Sequence, residues 1–128
     1  MSALEIVEAM NSEDKNVAET VKLALPEIAD AVNLIADRLF QGGRLIYVGA
    51  GTSGRLGVMD ASECPPTFGV SPELIQGLIA GGVSALTDEI EGAEDDSIAG
   101  ESVMKNTGVN RKDVVLGLSA SGRTPFVL

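Results

Sequence analysis

The sequence contains no histidine and a single cysteine, and both scarcities limit its chemistry. Histidine is the side chain most often used for proton transfer, so its absence excludes a Ser-His nucleophile system within this polypeptide. Cys64 has no partner for an internal disulfide, and with no basic neighbour in sequence its thiolate fraction is expected to be small. We interpret Cys64 as a packing residue, which leaves acid–base chemistry to carboxylates.

Basic residues are also scarce, with 9 Lys and Arg against 19 Asp and Glu and a formal net charge of -10. This balance argues against nucleic acid and anionic membranes as partners, because both would be repelled at low salt. No apolar run approaches the ~20 residues of a membrane span, and the first residues lack the pattern of a signal peptide. We therefore expect a cytoplasmic protein of one domain at most.

A glycine-rich loop follows the first strand-like run of the chain. Residues 45–48 have the length and character of a buried β-strand, and residues 49–51 turn without bulky side chains. Thr52, Ser53 and Gly54 then present hydroxyls and backbone N–H groups at a helix N-terminus, where the partial positive charge favours an anion. This arrangement predicts a phosphate loop in an α/β sheet.

Other interpretations of this loop are weaker. Its G-x-G-x-x-G spelling at residues 49–54 matches the dinucleotide fingerprint, but the next apolar run, at 74–80, ends in two glycines instead of the carboxylate that would hold a ribose. A Walker-type loop is excluded because Arg55 stands where lysine and then serine or threonine are required. A purely structural turn remains an alternative, because tight strand-to-helix turns favour glycine.

The first part of the chain has helical periodicity. Apolar residues at intervals of three and four predict an amphipathic helix over residues 16–40, which residues 42–43 terminate. Proline inside this pattern predicts a break near Leu25, with Pro26 at the start of the second helix. Residues 3–10 are expected to form a separate short helix.

Strands and helices alternate in the rest of the chain. The helix that begins near Ser53 is expected to end before Pro65, because a residue that precedes proline is disfavoured in the helical region. Strands are predicted over residues 74–80 and 114–118. Between them we predict a helical stretch over 84–105 that Gly92 and Gly100 interrupt or weaken. This alternation predicts a parallel sheet with right-handed crossovers.

A second hydroxyl- and glycine-rich loop, at residues 119–125, follows the strand at 114–118. Two such loops at the carboxyl ends of neighbouring strands can face each other at a topological switch point, where ligands of open α/β sheets bind. The pair predicts a crevice for a phosphorylated small molecule between the two loops. Arg123 is a candidate to add positive charge there, and a surface role is the alternative.

Four segments carry a longer signature: GAGTSGRLGVMDASECPPTFG, GLIAGG, EGAEDD and LSASGRTPFV. Together they resemble the sugar isomerase (SIS) domain of N-acetylmuramic acid 6-phosphate etherases, and the likeness runs from about Asn11 to the last residue. The resemblance implies an α/β fold, a parallel-sheet three-layer domain of the flavodoxin-like or Rossmann-like type. Altered forms of these signatures occur in animal glucokinase regulatory protein, which binds sugar phosphates without the etherase chemistry.

The resemblance implies that D-lactate is removed from carbon 3 of the substrate by elimination and then water addition, without a metal or organic cofactor. Glu63 matches the family's proton donor, and Glu94 matches its other catalytic glutamate. We expect Glu63 at the end of its helix near Asp60, where the helix dipole favours a protonated carboxyl. For Glu94 a solvated acidic surface is the alternative.

The resemblance also implies two groups of residues that bind the phosphate or the sugar. The donors of the second loop are Ser119, Ser121, Gly122 and Thr124. Those of the first loop are Thr52, Ser53 and Gly54. Short hydroxyls suit this role because they contact phosphate oxygens at close range and fix their orientation.

The implied domain organisation is a helical segment at residues 1–41 followed by a partial sugar-phosphate-binding SIS domain at residues 42–128. Etherases continue beyond the second loop, so we expect the N-terminal portion of an etherase, truncated after the third strand, with that strand as an open edge and residues 125–128 unpacked. Family members act as homodimers whose active sites draw on both subunits. A noncatalytic sugar-phosphate-binding regulatory module is the alternative function, and an aldose–ketose isomerase is a weaker third one.

Overall fold

The computed structural model describes all 128 residues, and the chain divides into two compact units, Met1–Ala36 and Asp37–Leu128. Helix α1 (Ala3–Lys22) lies in the first unit. It is one continuous helix, so the prediction of a separate helix over residues 3–10 is wrong. Its start is fixed by a capping box, in which Ser2 and Glu5 satisfy each other's backbone N–H groups.

The predicted break near Leu25 is confirmed. Helix α2 (Leu25–Phe40) begins at that residue, with Pro26 in its first turn, where a missing N–H removes no helical hydrogen bond. Neither α1 nor α2 contains a buried residue, and the apolar side chains of both helices are largely exposed. No helix of the protein combines the length and apolar character needed to cross a membrane.

The second unit is built on a three-stranded parallel sheet, as predicted. Strand β1 (Leu45–Gly49) is central, with β2 (Ile75–Ile79) on one side and β3 (Val114–Leu118) on the other. β3 therefore lies at an edge. In the order β2-β1-β3, the chain crosses from β1 to β2 and then passes back over β1 to β3. This reversal of direction creates a switch point at the carboxyl ends of β1 and β3.

Helix α3 (Gly51–Phe68) covers one face of the sheet through a row of small buried residues: Gly54, Gly57, Ala61 and Cys64. Glycine is required where helix and strand nearly touch. A Cβ added to Gly54 would lie 2.7 Å from Ile79 Cγ1 and 2.8 Å from the carbonyl oxygen of Gly49. The outer glycines of the G-x-G-x-x-G sequence thus allow α3 to pack closely on β1.

Two predicted helix boundaries are wrong. α3 continues through Pro65 and Pro66 and ends at Gly69, which has a left-handed φ of 65°. Burial of the preceding turn against the sheet outweighs the loss of two N–H donors near the helix end. The stretch predicted as helical over 84–105 contains 3-10 helices at Val83–Leu86 and Ala93–Asp95, and helix α4 (Ser97–Thr107) begins only after them. The predicted interruption at Gly92 is confirmed, whereas Gly100 lies inside α4 without breaking it.

The other face of the sheet carries the main hydrophobic core. Ile46, Val48, Ala80 and Phe126 are buried there, and α4 packs against them through partly buried apolar side chains. The expectation that residues 125–128 lack packing partners is wrong for Phe126, which is only 5% exposed. Helix α3, the sheet and α4 form three layers, so the predicted fold class is confirmed.

A partly buried ion pair between Arg44 and Asp113 joins the amino ends of β1 and β3. Asp113, whose side chain is 1% exposed, accepts hydrogen bonds from the Arg44 backbone N–H and guanidinium and from Asn110. The same guanidinium donates to the carbonyls of Thr107 and Gly108, which close the end of α4. One arginine therefore holds two strands and a helix terminus together.

The Arg44–Asp113 pair predicts a pH dependence of stability. The hydrogen bond from Arg44 is the main reason that the pKa of Asp113 falls from 3.8 to about 2. A lowered carboxyl pKa stabilises the fold fully above the unfolded value, and this contribution is lost as pH falls from about 4 to 2. Urea unfolding across that pH range should show a steeper fall in the free energy of unfolding for the native chain than for Asp113→Asn. At pH 7, Asp113→Asn should lower the free energy of unfolding by about 1–3 kcal/mol. Asp30→Asn, at an exposed position, is the control and should change the free energy of unfolding little. Equal acid sensitivity of Asp113→Asn and the native chain would contradict the role of the Arg44–Asp113 pair.

The close packing of α3 on the sheet predicts that replacing a helical glycine by alanine lowers the stability of the protein instead of raising it. In an unhindered helix, Gly54→Ala would stabilise by up to about 1 kcal/mol. Here the new methyl group meets backbone and Ile79, so Gly54→Ala should destabilise by about 1–3 kcal/mol. Chemical denaturation measures the difference, and Ser62→Ala, at an exposed position of the same helix, is the control. A stabilised Gly54→Ala variant would show that helix and strand are less tightly packed.

Candidate functional site

The carboxyl ends of β1 and β2 enclose a cavity of about 530 Å³. The first turns of α3, directly after β1, contribute Thr52 and Arg55 to its lining, and the segment after β2 contributes Glu94. Three further carboxylates, Asp88, Glu89 and Glu91, also line it. The cavity therefore combines the hydroxyls of Thr52 and Thr87, one guanidinium and several acids, which are groups suited to binding a polar molecule.

Arg55 is the only basic residue that lines this cavity. Its guanidinium donates to the carbonyl of Ala85 at 2.9 Å and to the hydroxyl of Thr52 at 3.3 Å. It thereby ties the first loop to the 3-10 helix after β2. The sequence placed Arg55 beside the loop, but this contact to a distant carbonyl has no signal in the residue pattern.

The second loop folds around the hydroxyl of Ser119. Its oxygen lies 2.8 Å from Thr124 Oγ1 and 3.3 Å from Ser121 Oγ, and the backbone N–H of Gly122 donates to it at 3.0 Å. The donors expected to bind phosphate are thus gathered in one cluster at the end of β3. The left-handed φ of 65° at Gly122 makes this tight turn possible.

The predicted ligand-binding residues of the first loop differ in their exposure to solvent. Thr52 is exposed and lines the cavity, Ser53 is partly buried, and Gly54 is buried against β1 and β2. None of the second-loop residues lines the cavity. The cavity therefore lies on the β2 side of β1, whereas the predicted crevice between the two loops lies on the β3 side.

Glu63 lies apart from the cavity. It is exposed in α3, about three turns and roughly 16 Å along the helix from Thr52. The expectation that Glu63 ends its helix is wrong, because α3 continues to Phe68. A helix terminus therefore does not act on its carboxyl, and one chain alone does not bring Glu63 to the cavity where Glu94 lies.

The surroundings of Cys64 support its assignment to packing. The thiol is buried under α3 and donates to the carbonyl of Asp60. Burial raises the pKa of Cys64, and the nearby charges of Asp60 and Glu63 raise it further. Tyr47 donates to Asp60 at 2.7 Å, and burial followed by this hydrogen bond raises the pKa of Tyr47 to about 12. Neither side chain is therefore ionised near neutral pH.

The acidic residues of the cavity do not form a metal centre. The protein contains no group of three or more Cys, Asp or Glu side chains arranged to hold a metal ion. Asp88, Glu89 and Glu91 lie between the two 3-10 helices and Glu94 lies in the second, which spreads these carboxylates along the cavity wall.

Comparison with known families gives the class of protein. Residues 27–128 match the model of the glucokinase regulatory protein N-terminal SIS domain. The chain belongs to this SIS-domain family. Among curated proteins it is similar over all 128 residues to N-acetylmuramic acid 6-phosphate etherases, with 58% identity to that of Glaesserella parasuis, 57% to that of Cronobacter sakazakii and 56% to that of Clostridium beijerinckii.

The matching region is the N-terminal part of each relative. The chain spans 42% of the length of the Glaesserella and Clostridium proteins and 43% of the Cronobacter protein. The predicted relationship to the N-terminal portion of these etherases is thereby confirmed.

The hydroxyl cluster of the second loop predicts where a sugar phosphate binds. Ser119→Ala removes the oxygen that Gly122 and Thr124 contact, so the affinity for N-acetylglucosamine 6-phosphate should fall about tenfold, equivalent to about 1.4 kcal/mol. Calorimetric titration measures this change. Thr87→Ala, in the cavity wall, is the matched hydroxyl control and should bind nearly as well as the native chain. Equal losses in both variants, or a loss only in Thr87→Ala, would place the phosphate in the cavity instead.

Proposed function

We propose that the chain forms part of an enzyme that cleaves the D-lactyl ether of N-acetylmuramic acid 6-phosphate. The products are N-acetylglucosamine 6-phosphate and D-lactate, and such a reaction serves the recycling of cell-wall muramic acid. The observation that best supports this proposal is the position of Glu94. Its side chain lines the cavity beside Thr52, while its carbonyl accepts a hydrogen bond from Phe126, just beyond the second loop.

The proposed reaction needs one base and one acid. In the open-chain aldehyde, the carbonyl acidifies the proton on carbon 2, and a carboxylate removes it. The electron pair then forms a double bond between carbons 2 and 3 as the bond from carbon 3 to the lactyl oxygen breaks. A carboxylic acid protonates the departing oxygen, after which water adds to carbon 3 and a proton returns to carbon 2.

We assign the acid to Glu63 and the base, or the activation of the added water, to Glu94. The separation of the two residues within one chain supports a site shared between two copies. Glu63 is exposed on α3, so a second chain can receive it. In a two-fold homodimer, each of the two sites would then combine Glu94 of one chain with Glu63 of the other.

The phosphate is assigned to the hydroxyl cluster at Ser119, Ser121 and Thr124. The hydroxyls can rotate from one another toward an anion, so the contacts already present preorganise the cluster. Thr52 and Ser53 are assigned to the sugar or the phosphate from the opposite loop. The backbone of Gly54 contributes to the same turn.

A noncatalytic sugar-phosphate-binding module is the second candidate. Its support is the match to the domain of a regulatory protein and the distance of Glu63 from the cavity within one chain. The two functions differ in one consequence. When a catalytic glutamate is replaced, an enzyme loses turnover but keeps ligand binding. A binding module has no turnover to lose and keeps its ligand binding.

Release of D-lactate from N-acetylmuramic acid 6-phosphate tests the proposal. Glu63→Gln and Glu94→Gln should each lower the rate by about 10²–10⁴-fold, because each removes one proton-transfer group. Glu89→Gln, another acid of the cavity wall, is the matched control and should change the rate little. Turnover that survives both catalytic substitutions would contradict the assignment, and sugar-phosphate binding without turnover would favour the binding module.

Mixing the two inactive variants tests the shared site. If chains exchange freely, the mixture of Glu63→Gln and Glu94→Gln should recover about a quarter of the native sites, because half of the dimers are mixed and each mixed dimer has one intact site. No recovery, in a mixture whose subunit exchange is verified by mass spectrometry, would place both glutamates in the site of one chain.

A further inference from the structure

A backbone hydrogen bond connects the Glu94 segment to the residues that follow the second loop. The N–H of Phe126 donates to the carbonyl of Glu94 at 3.0 Å. Glu94 lies in the connection between β2 and β3, where it is exposed in a short 3-10 helix, whereas Phe126 follows β3. This bond therefore anchors the segment that carries Glu94 to the end of the chain.

The donor is itself held firmly in place. The ring of Phe126 is buried against Ile46, Val48 and Ala80. Its carbonyl oxygen packs against α4 at Gly100, where an added Cβ would lie only 2.3 Å away. The position of the Phe126 backbone is thus fixed by both the sheet and α4.

The same turn is bonded to the second loop. The backbone N–H of Val127 donates to the carbonyl of Thr124 at 2.9 Å, and the Thr124 hydroxyl lies 2.8 Å from that of Ser119. A short series of hydrogen bonds therefore runs from the hydroxyl cluster through the Phe126 turn to Glu94.

We propose that Phe126 is a positioning residue through which occupation of the second loop by a phosphate group sets the position of Glu94. The inference rests on the proposed function in assigning phosphate to the second loop and proton transfer to Glu94. Binding energy from a part of the substrate remote from the bond that breaks is then used to orient the reacting carboxylate. A displacement of the reacting carboxylate by about 1 Å can lower the rate about 10²-fold.

Amide chemical shifts of the 15N-labelled chain, titrated with inorganic phosphate, test this link without requiring turnover. The amides of Ser121 and Gly122 should shift on binding. Those of Glu94 and Asp95 should shift with the same midpoint, because they report the same event through the Phe126 turn. Second-loop shifts without any Glu94 response would overturn this inference and leave the proposed function intact. No response at the second loop would remove the phosphate site, and with it both proposals.

Three variants separate positioning from simple stability. Gly100→Ala displaces the Phe126 backbone and should abolish the response at Glu94 while the second loop still responds. Ser102→Ala, exposed on the same helix, should behave as the native chain. Phe126→Leu keeps the backbone donor and an apolar side chain, and should keep both responses. Loss of both responses in folded Gly100→Ala, or retention of both, would contradict the role of the Phe126 turn.

Kinetics provide a second measurement in a preparation that releases D-lactate. Gly100→Ala should lower kcat by about 10–10²-fold with little change in KM. The separate variant Phe126→Leu should retain most of the native kcat. A Gly100→Ala variant that raises KM and leaves kcat unchanged would show that the turn serves phosphate binding only. The wild-type titration decides the proposal even if Gly100→Ala fails to fold.

Discussion

The contact between α3 and β1 at Gly49 and Gly54 is the constraint on which the second unit depends. Helix and strand approach so closely there that neither position has room for a Cβ. This approach sets the height of α3 over the sheet and turns the chain sharply between the two elements. The first loop therefore emerges with Thr52 and Arg55 at the mouth of the cavity, and the same glycines that resemble a nucleotide fingerprint serve packing.

A second constraint acts on the opposite face. Phe126 fills the core beneath Ile46 and Val48, and its backbone meets both α4 and Glu94. The ring of Phe126 thus anchors in the core a turn whose backbone bonds to the acidic segment. Arg44 and Asp113 play the corresponding part at the other end of the sheet, where they fix β1, β3 and the end of α4.

Much of this arrangement could be predicted from the sequence, because strands and tight turns have local signals. The strands, the break before Pro26 and the two hydroxyl loops are where their residue patterns indicated. The helix over Pro65 could not be predicted, because the burial of Cys64 is a tertiary effect. The resemblance named Glu63 and Glu94, but only coordinates reveal that Glu63 lies far along α3 and that Phe126 bonds to Glu94 through its backbone, which no side-chain pattern encodes.

The burial of Phe126 also has a consequence for how the chain folds. Its core partners Ile46 and Val48 belong to the first strand, so the hydrophobic core joins residues from the beginning and the end of the second unit. Nearly the whole unit must be synthesised before this core can form. β1 and β3 are separated in sequence by α3, β2 and α4, so bringing them together has a high entropic cost. Parallel pairing between strands that are distant in sequence favours slow folding.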